Sequence, residues 1–233
     1  MKFAVPAEPR KTLPVKGSEA SYPVNNVYCV GRNYADHAVE MGHDPSREPP
    51  FFFMKPAYAV LAGGGAMQYP NLTGDVHHEV ELVLALARGG ENISEQAALD
   101  CVFGYGVGID MTRRDIQAEA KQAARPWDAA KVFLHSAPCS ELVASTQFIE
   151  QAEITLTVNG EQRQVGNVNQ MIWKLPEIIS RLSQLFPLYP GDLIFTGTPA
   201  GVGPIVPGDV LQGHIESVGD ISVTVSGTEE GPN

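Results

Sequence analysis

A β-rich α+β domain with short helices is the fold class the sequence predicts, and three observations carry it. Glycine (23) and proline (18) are plentiful, which multiplies turns. Glu153 to Val158 alternates in polarity and runs into Asn159-Gly160, the pair that best closes a two-residue hairpin. The clearest helical pattern is confined to Pro176 to Phe186.

Composition sets the outer bounds. The chain has 233 residues, 43% hydrophobic and 18% charged, enough for one large globular domain with a core that needs no disulfide. A net charge of −11 argues against nucleic acid as a partner, because phosphate binding needs a basic surface. A small anion remains open if a few bases focus positive charge locally. Cys29, Cys101 and Cys139 are well separated and lie among apolar neighbours, as buried thiols in a reducing compartment do. No apolar run is long enough to span a membrane, and the first residues lack the apolar stretch of a signal peptide. The expected location is the cytoplasm.

The elements follow in order. Residues 1–24 read as an N-terminal arm, 25–226 as the domain and 227–233 as a tail. Asn26 to Gly31 predicts a buried strand. A helix follows, with Asn33 as N-cap, Asp36 three residues on and Gly42 as the stop. Phe51 to Pro56 is apolar, then basic; Gly63-Gly64-Gly65 is a turn. A strand is expected over 76–87, a helix over Ile93 to Leu99 capped by Ser94, and a Gly-rich strand over Val102 to Asp110. Asp115 to Ala124 reads as an exposed helix, Glu161 to Val165 as the hairpin's return strand. Pro176 opens the clear helix, with Ile178, Ile179, Leu182, Leu185 and Phe186 on one apolar face. Two short strands are expected near 209–217 and 220–226.

The candidate chemistry centres on three carboxylates. On a strand, Glu79 and Glu81 share a face while Val80, Leu82, Leu84 and Leu86 take the other. Two neighbouring carboxylates in an apolar strand resist burial unless a cation joins them; the alternative is an edge strand with two solvated glutamates. Asp110, ending the Gly-rich strand, is either a third ligand or a cap for the next turn. Oxygen-only ligands favour Mg²⁺, Mn²⁺ or Ca²⁺ over zinc. His77 and His78 are runner-up ligands, His77 on the glutamate face. His37 and Glu40, three apart on the first helix, make a candidate water-activating pair or an exposed helix pair. Arg113, Arg114 and Lys131 are the bases an anionic substrate would use; Lys131 instead snorkels if it has no anionic partner. Thr196 to Gly203 reads as backbone N–H groups and Thr hydroxyls around a carboxylate, or as a plain tight turn.

Several motifs, in order, resemble the fumarylacetoacetate hydrolase superfamily. They are Gly31-Arg32-Asn33-Tyr34-Ala35-Asp36-His37, His77-His78-Glu79-Val80-Glu81-Leu82, Gly108-Ile109-Asp110-Met111-Thr112, Arg114-Asp115 and Gly191 to Gly203. Phe51 to Pro56, Gln117 to Lys121 and Gln170 to Trp173 look most like the fumarylpyruvate hydrolase branch. The resemblance covers about residues 25–226 and implies a distorted β-sandwich or roll with short peripheral helices, usually a homodimer. It implies Glu79, Glu81 and Asp110 as ligands of Mg²⁺ or Mn²⁺, and His37 with Glu40 as the water-activating dyad. Arg32, Arg114, Gln117, Lys131 and Thr198 are implied around the substrate, Lys131 with Gln117 stabilising an alkoxide. Arg32 or Arg113 would meet a distal carboxylate. After the lysine the family often has a small residue and Phe-Asp; this chain has Val132-Phe133-Leu134, so its pocket wall is expected to differ.

The implied activity is hydrolysis of the C–C bond of a 2,4-dioxo acid, such as fumarylpyruvate in gentisate catabolism. Within the same superfamily, an oxaloacetate decarboxylase or an isomerase or hydratase is the alternative. A non-enzymatic metal-binding module is the third reading.

Overall fold

A computed structural model of the chain describes residues 3–40 and 48–227. The expected helix stop at Gly42 and the tail from Thr228 onward lie outside the described residues. In chain order the strands are β1 (Thr12–Pro14), β2 (Ser21–Pro23), β3 (Val27–Gly31), β4 (Phe51–Lys55), β5 (Val60–Ala62), β6 (Gly65–Gln68), β7 (Val76–His78), β8 (Val80–Leu86), β9 (Val102–Ile109), β10 (Thr112–Arg113), β11 (Ala137–Cys139), β12 (Val143–Ala144), β13 (Glu153–Val158), β14 (Glu161–Asn167), β15 (Leu193–Phe195), β16 (Gly203–Ile205), β17 (Val210–Ile215) and β18 (Gly219–Ser226). The helices are α1 (Ala35–Glu40), α2 (Glu95–Ala98), α3 (Arg114–Gln122), α4 (Asp128–Lys131) and α5 (Leu175–Leu185). The β-rich α+β class is observed, a distorted sandwich with short peripheral helices.

An eight-stranded sheet runs β4-β3-β15-β8-β9-β11-β5, with β12 joined to β9. A five-stranded sheet, β14-β13-β17-β18-β6, packs against it, and a small sheet of β10, β7 and β16 closes one end. The large core lies between the two main sheets. There Val80, Leu82, Leu84 and Leu86 of β8 meet Ile154, Leu156, Leu211 and Val223. Each such side chain, fully buried, contributes about 1.5–3 kcal/mol. The opposite face of β8 is also covered: Val83 and Ala85 join Leu13, Tyr22, Cys29 and Phe195 in a second core. β8 is therefore a central strand, between β15 and β9, and the edge-strand reading of its glutamates is excluded.

Most elements lie where the residues put them. Ser94 caps α2 by accepting from the Ala97 N–H at 3.3 Å. Asn159 (φ 53°) and Gly160 (φ 80°) join β13 to β14 in the expected hairpin. α5 buries Ile178, Ile179 and Leu182, but Leu185 is 64% exposed, so the apolar face is narrower than the pattern predicts.

Two expectations are corrected. Residues 12–24 are not an arm: β1 and β2 form a hairpin that sinks Leu13, Val15, Tyr22 and Val24 into the second core. Three-residue strands are too short for their alternation to stand out from the surrounding lysines and prolines. Asn33 is not a helix cap either. It is fully buried; its amide donates to the carbonyls of Thr196 (2.8 Å) and Trp173 (3.0 Å) and accepts from the Trp173 N–H (2.7 Å). It ties the start of α1 to the loop after β15.

Candidate active site

The break between β7 and β8 falls at Glu79, and the backbone there is held by the Asp110 N–H to Glu79 carbonyl bond of 2.8 Å. Glu79, Glu81 and Asp110 are all buried, each with a carboxylate oxygen within 4.8 Å of the other two. The strand-face argument therefore brings the two glutamates together, and β9 delivers Asp110 beside them.

Three cations surround this set. Lys131, at the end of α4, reaches Glu79 Oε2 and Asp110 Oδ2, both at 2.8 Å, and is 3% exposed, so it does not snorkel. Arg114, opening α3, donates to Glu79 Oε1 through Nη2 and to Gln117 Oε1 (2.7 Å) through Nη1. Lys55, at the end of β4, lies 2.8 Å from Asp110 Oδ1 and donates to the carbonyls of Met111, Lys131 and Ser136. Burial pushes the Glu79 carboxyl up, but Lys131, Arg114 and His37 outweigh it and hold it well below the usual range. Glu81 goes the other way. Burial raises it well above the usual range, Asp110 and Glu79 raise it further, and the Gly197 N–H (2.7 Å) and Lys131 only partly oppose them.

That imbalance tests whether a metal fits. Glu79 and Asp110 each have cations at both oxygens, whereas the hydrogen-bond partner of Glu81 is a backbone N–H. Among the described residues Asp110 Oδ1 accepts no well-directed hydrogen bond despite the nearby Lys55. A hard divalent cation among three buried oxygens removes both defects. His77 and His78 are not in this set. His77 bonds Asp75 (2.9 Å) and His78 bonds Gln164 (2.9 Å), so both act as support.

The metal test has a pH signature. A carboxyl whose folded pKa is raised leaves the folded chain holding more protons than the unfolded one, from about pH 4.3 upward. Metal-free stability from Glu81 is thus lost as pH rises through that window, and a cation, which needs the ionised ligand, restores it. The rise in Tm on adding Mn²⁺ is expected to be larger at pH 8 than at pH 6. A larger rise at the lower pH contradicts this reading of Glu81.

One cavity gathers the site. Glu79, Glu81, Asp110, Lys131, Gln117 and Thr198 form its buried floor, with His37 beside them and Arg32, Phe51, Lys121 and Trp127, half-buried, at its rim. His37 Nδ1 lies 3.1 Å from Glu40 Oε2, and the other Glu40 oxygen accepts from the Gly201 N–H at 3.0 Å. The carboxylate fixes the proton on Nδ1 and leaves Nε2 with a free lone pair. The Thr196 to Gly203 loop thus presents N–H groups to the protein's own carboxylates, Gly197 to Glu81 and Gly201 to Glu40. Both glycines have φ +95°, and a Cβ would strike Asn33 (2.7 Å) or the Arg163 carbonyl (2.1 Å), so no other residue fits.

Second-layer contacts set the remaining donors. Gln164, fully buried on β14, accepts from the Val80 N–H (3.1 Å) and donates to Thr198 Oγ1 (2.7 Å) and the Pro199 carbonyl (2.9 Å). Thr198 therefore keeps its own hydroxyl proton for the cavity. Gln117, whose oxygen is taken by Arg114, likewise keeps its NH₂.

Arg113 is corrected. Its guanidinium bonds the Ala129 carbonyl (3.2 Å), lies 4.8 Å from the Phe133 ring centre and does not line the cavity. Phe133 is buried beneath the site and Leu134 is 51% exposed, so the Val132-Phe133-Leu134 departure leaves the wall to Phe51, Phe53 and Trp127. All three cysteines are free and buried, and Cys139 is pushed up to about 12 by burial, which rules them out as ready nucleophiles.

Lys55 and Gln164 are functional neighbours that sequence reasoning missed. A signal existed for Lys55: alternation along β4 puts Phe51, Phe53 and Lys55 on one face. Gln164 carried none. We expect Lys55→Met to cost about 3–5 kcal/mol, because it strips a buried carboxylate of a counter-charge and leaves carbonyls unpaired. Denaturant unfolding measures it; a loss below 1 kcal/mol contradicts the structural role.

A curled sheet carrying three buried carboxylates that could hold a metal ion, beside a His–Glu pair, fits a metal-dependent enzyme. The chain belongs to the fumarylacetoacetate (FAA) hydrolase family, whose C-terminal model matches residues 26–226. Among relatives, it is 43% identical over 187 residues to the fumarylpyruvate hydrolase of a Ralstonia species, covering 80% of this chain and 97% of that protein. It is also 43% identical over 206 residues to the mitochondrial oxaloacetate tautomerase FAHD1 of Mus musculus, covering 88% of this chain and 93% of that one. The crystal structure of fumarylpyruvate hydrolase from Pseudomonas aeruginosa, in complex with Mn²⁺ and pyruvate, superposes with a TM-score of 0.93 at 46% identity, covering 97% of this chain and 99% of that one. No helix among the described residues is long and apolar enough to cross a membrane.

Proposed function

We propose that the protein hydrolyses the C–C bond of an acylpyruvate, with fumarylpyruvate giving fumarate and pyruvate. The observation that carries this reading is the His37–Glu40 pair, held by Gly201, in the same cavity as the three buried carboxylates. The similarity to fumarylpyruvate hydrolases over nearly the whole chain supports it. Glu79, Glu81 and Asp110 would hold Mg²⁺ or Mn²⁺, which supplies a Lewis acid for the dioxo acid's oxygens. We carry the homodimer and the cytoplasmic location as part of the proposal, the first from the family resemblance, the second from three unpaired buried thiols.

The chain's own residues account for the proton and charge movements. His37 Nε2 takes a proton from water, whose oxygen bonds to C4 of the substrate. Glu40 stabilises the imidazolium that results. Two of the three Lys131 N–H bonds are committed to Glu79 and Asp110, so one remains for the alkoxide, together with the Gln117 NH₂. The C3–C4 bond then breaks, its electron pair goes to C3, and the imidazolium returns its proton there to give pyruvate. Arg114 Nε, buried and without an acceptor among the described residues, and the Thr198 hydroxyl are left to hold the pyruvyl carboxylate.

A second reading has a specific observation behind it. The tautomerase relative is as similar as the hydrolase one, and oxaloacetate shares the 2-oxo acid head. A tautomerase moves a proton between O2 and C3 and needs no attacking water. The test is turnover of both substrates by metal-loaded enzyme, following pyruvate release from fumarylpyruvate and loss of enol absorbance from oxaloacetate. Failure to release pyruvate, with rapid enol conversion, would select the second reading.

A further inference from the structure

The cavity's rim holds two cations that the chemistry above does not use in full. Arg32 sits 5.4 Å from the Phe51 ring centre, and Lys121 lies 5.3 Å from that of Trp127. Phe51 and Trp127 pack edge to face, 5.4 Å between centres, so the four side chains form one unit. Among the described residues neither Arg32 nor Lys121 forms an ion pair. Arg32 also holds φ 57°, a left-handed conformation uncommon for a side chain of its size.

Charge makes the absence of partners informative. The cavity is lined by four bases, Arg32, Arg114, Lys121 and Lys131, against three carboxylates, in a protein of net charge −11. Burial lowers the Lys121 pKa first, and Arg114, Arg32 and Lys131 lower it further, with Glu79 opposing. An anion at the rim relieves that repulsion. The floor already has donors for a 2-oxo acid head, so the rim is placed to meet the other end of a longer molecule.

We infer that Lys121, with Arg32 and on the Trp127 and Phe51 faces, binds the distal carboxylate of a substrate whose acyl arm ends in an acid. This rests on the acylpyruvate reading and deepens it. An unsaturated arm runs along the edge-to-face pair of Phe51 and Trp127, and its carboxylate meets the rim cations. Oxaloacetate carries its second carboxylate directly on C3, with no acyl arm, and acetylpyruvate ends in a methyl group. The rim therefore selects long dicarboxylates over both. In this conformation the cavity holds about 40 Å³, space for roughly three waters, so admitting the arm requires the rim to open.

The test compares fumarate with crotonate, which lacks one carboxylate, as ligands of the Mn²⁺-loaded protein in calorimetric titrations. Wild type should bind fumarate about tenfold or more tightly than crotonate, as expected of a hydrogen bond between charged groups. Lys121→Met should erase the preference, and Lys121→Arg should restore part of it. Equal binding of the two acids by wild type, or no heat from either, overturns the subsite. So does an unchanged preference in Lys121→Met. Kinetics supply a separate arm: Lys121→Met should lose at least tenfold more kcat/KM on fumarylpyruvate than on acetylpyruvate. A wild type that prefers fumarate through Lys121 but releases no pyruvate retires the hydrolase reading and keeps the subsite. Hydrolysis with no dependence on Lys121 retires the subsite alone.

Discussion

Glu81→Gln is expected to lose activity by on the order of 10³-fold while remaining folded, because a Lewis-acid contribution of several kcal/mol goes with its ligand. The substitution is nearly isosteric. It also removes a charge that burial, Asp110 and Glu79 all disfavour, whereas the Gly197 N–H still finds the amide oxygen. The metal-free variant should therefore be at least as stable as metal-free wild type at pH 8. Adding Mn²⁺ should raise the Tm of wild type and leave the variant nearly unmoved. The comparison separates a ligand from a structural residue. Clear destabilisation of the metal-free variant, or a metal shift equal to that of wild type, would show that Glu81 is part of the scaffold instead.

His37→Ala should lower kcat for acylpyruvate hydrolysis by about 10²–10⁴-fold, the usual reach of a positioned general base. The metal-dependent rise in Tm should persist, because His37 is not one of the three carboxylates that could hold the metal. Glu40→Gln is expected to fall between wild type and His37→Ala: the amide still meets the Gly201 N–H but no longer stabilises an imidazolium. On oxaloacetate the cost of His37→Ala should be smaller, since enol conversion requires no activated water. Equal losses on both substrates would assign His37 to proton transfer at C3 in each reaction and would remove the argument for an attacking water.

The acidic face was legible in the sequence for a physical reason. Alternation puts Glu79 and Glu81 on one face, and they converge even though Glu79 falls at the break between β7 and β8. Their depth was not legible, because Val83 and Ala85 could as well have faced solvent; covering them takes Leu13 and Tyr22, far back in the chain. Adjacent bases show the same limit. Arg113 ends β10 and Arg114 begins α3, and that switch of backbone turns one out and the other onto Glu79. Glycine content marked the loop after β15 as tight, but not that its N–H groups hold Glu81 and Glu40. Those contacts depend on Asn33 bonding both Thr196 and Trp173. Long-range polar ties of this kind leave no local pattern.

The most direct test of the central claim is turnover of fumarylpyruvate by the Mn²⁺- or Mg²⁺-loaded protein in ¹⁸O-labelled water. Equimolar fumarate and pyruvate are expected, with one water-derived oxygen per fumarate, in the carboxylate made from C4, and no reaction after chelation of the metal. Release of no fumarate by an enzyme that still converts enol-oxaloacetate to its keto form would contradict it.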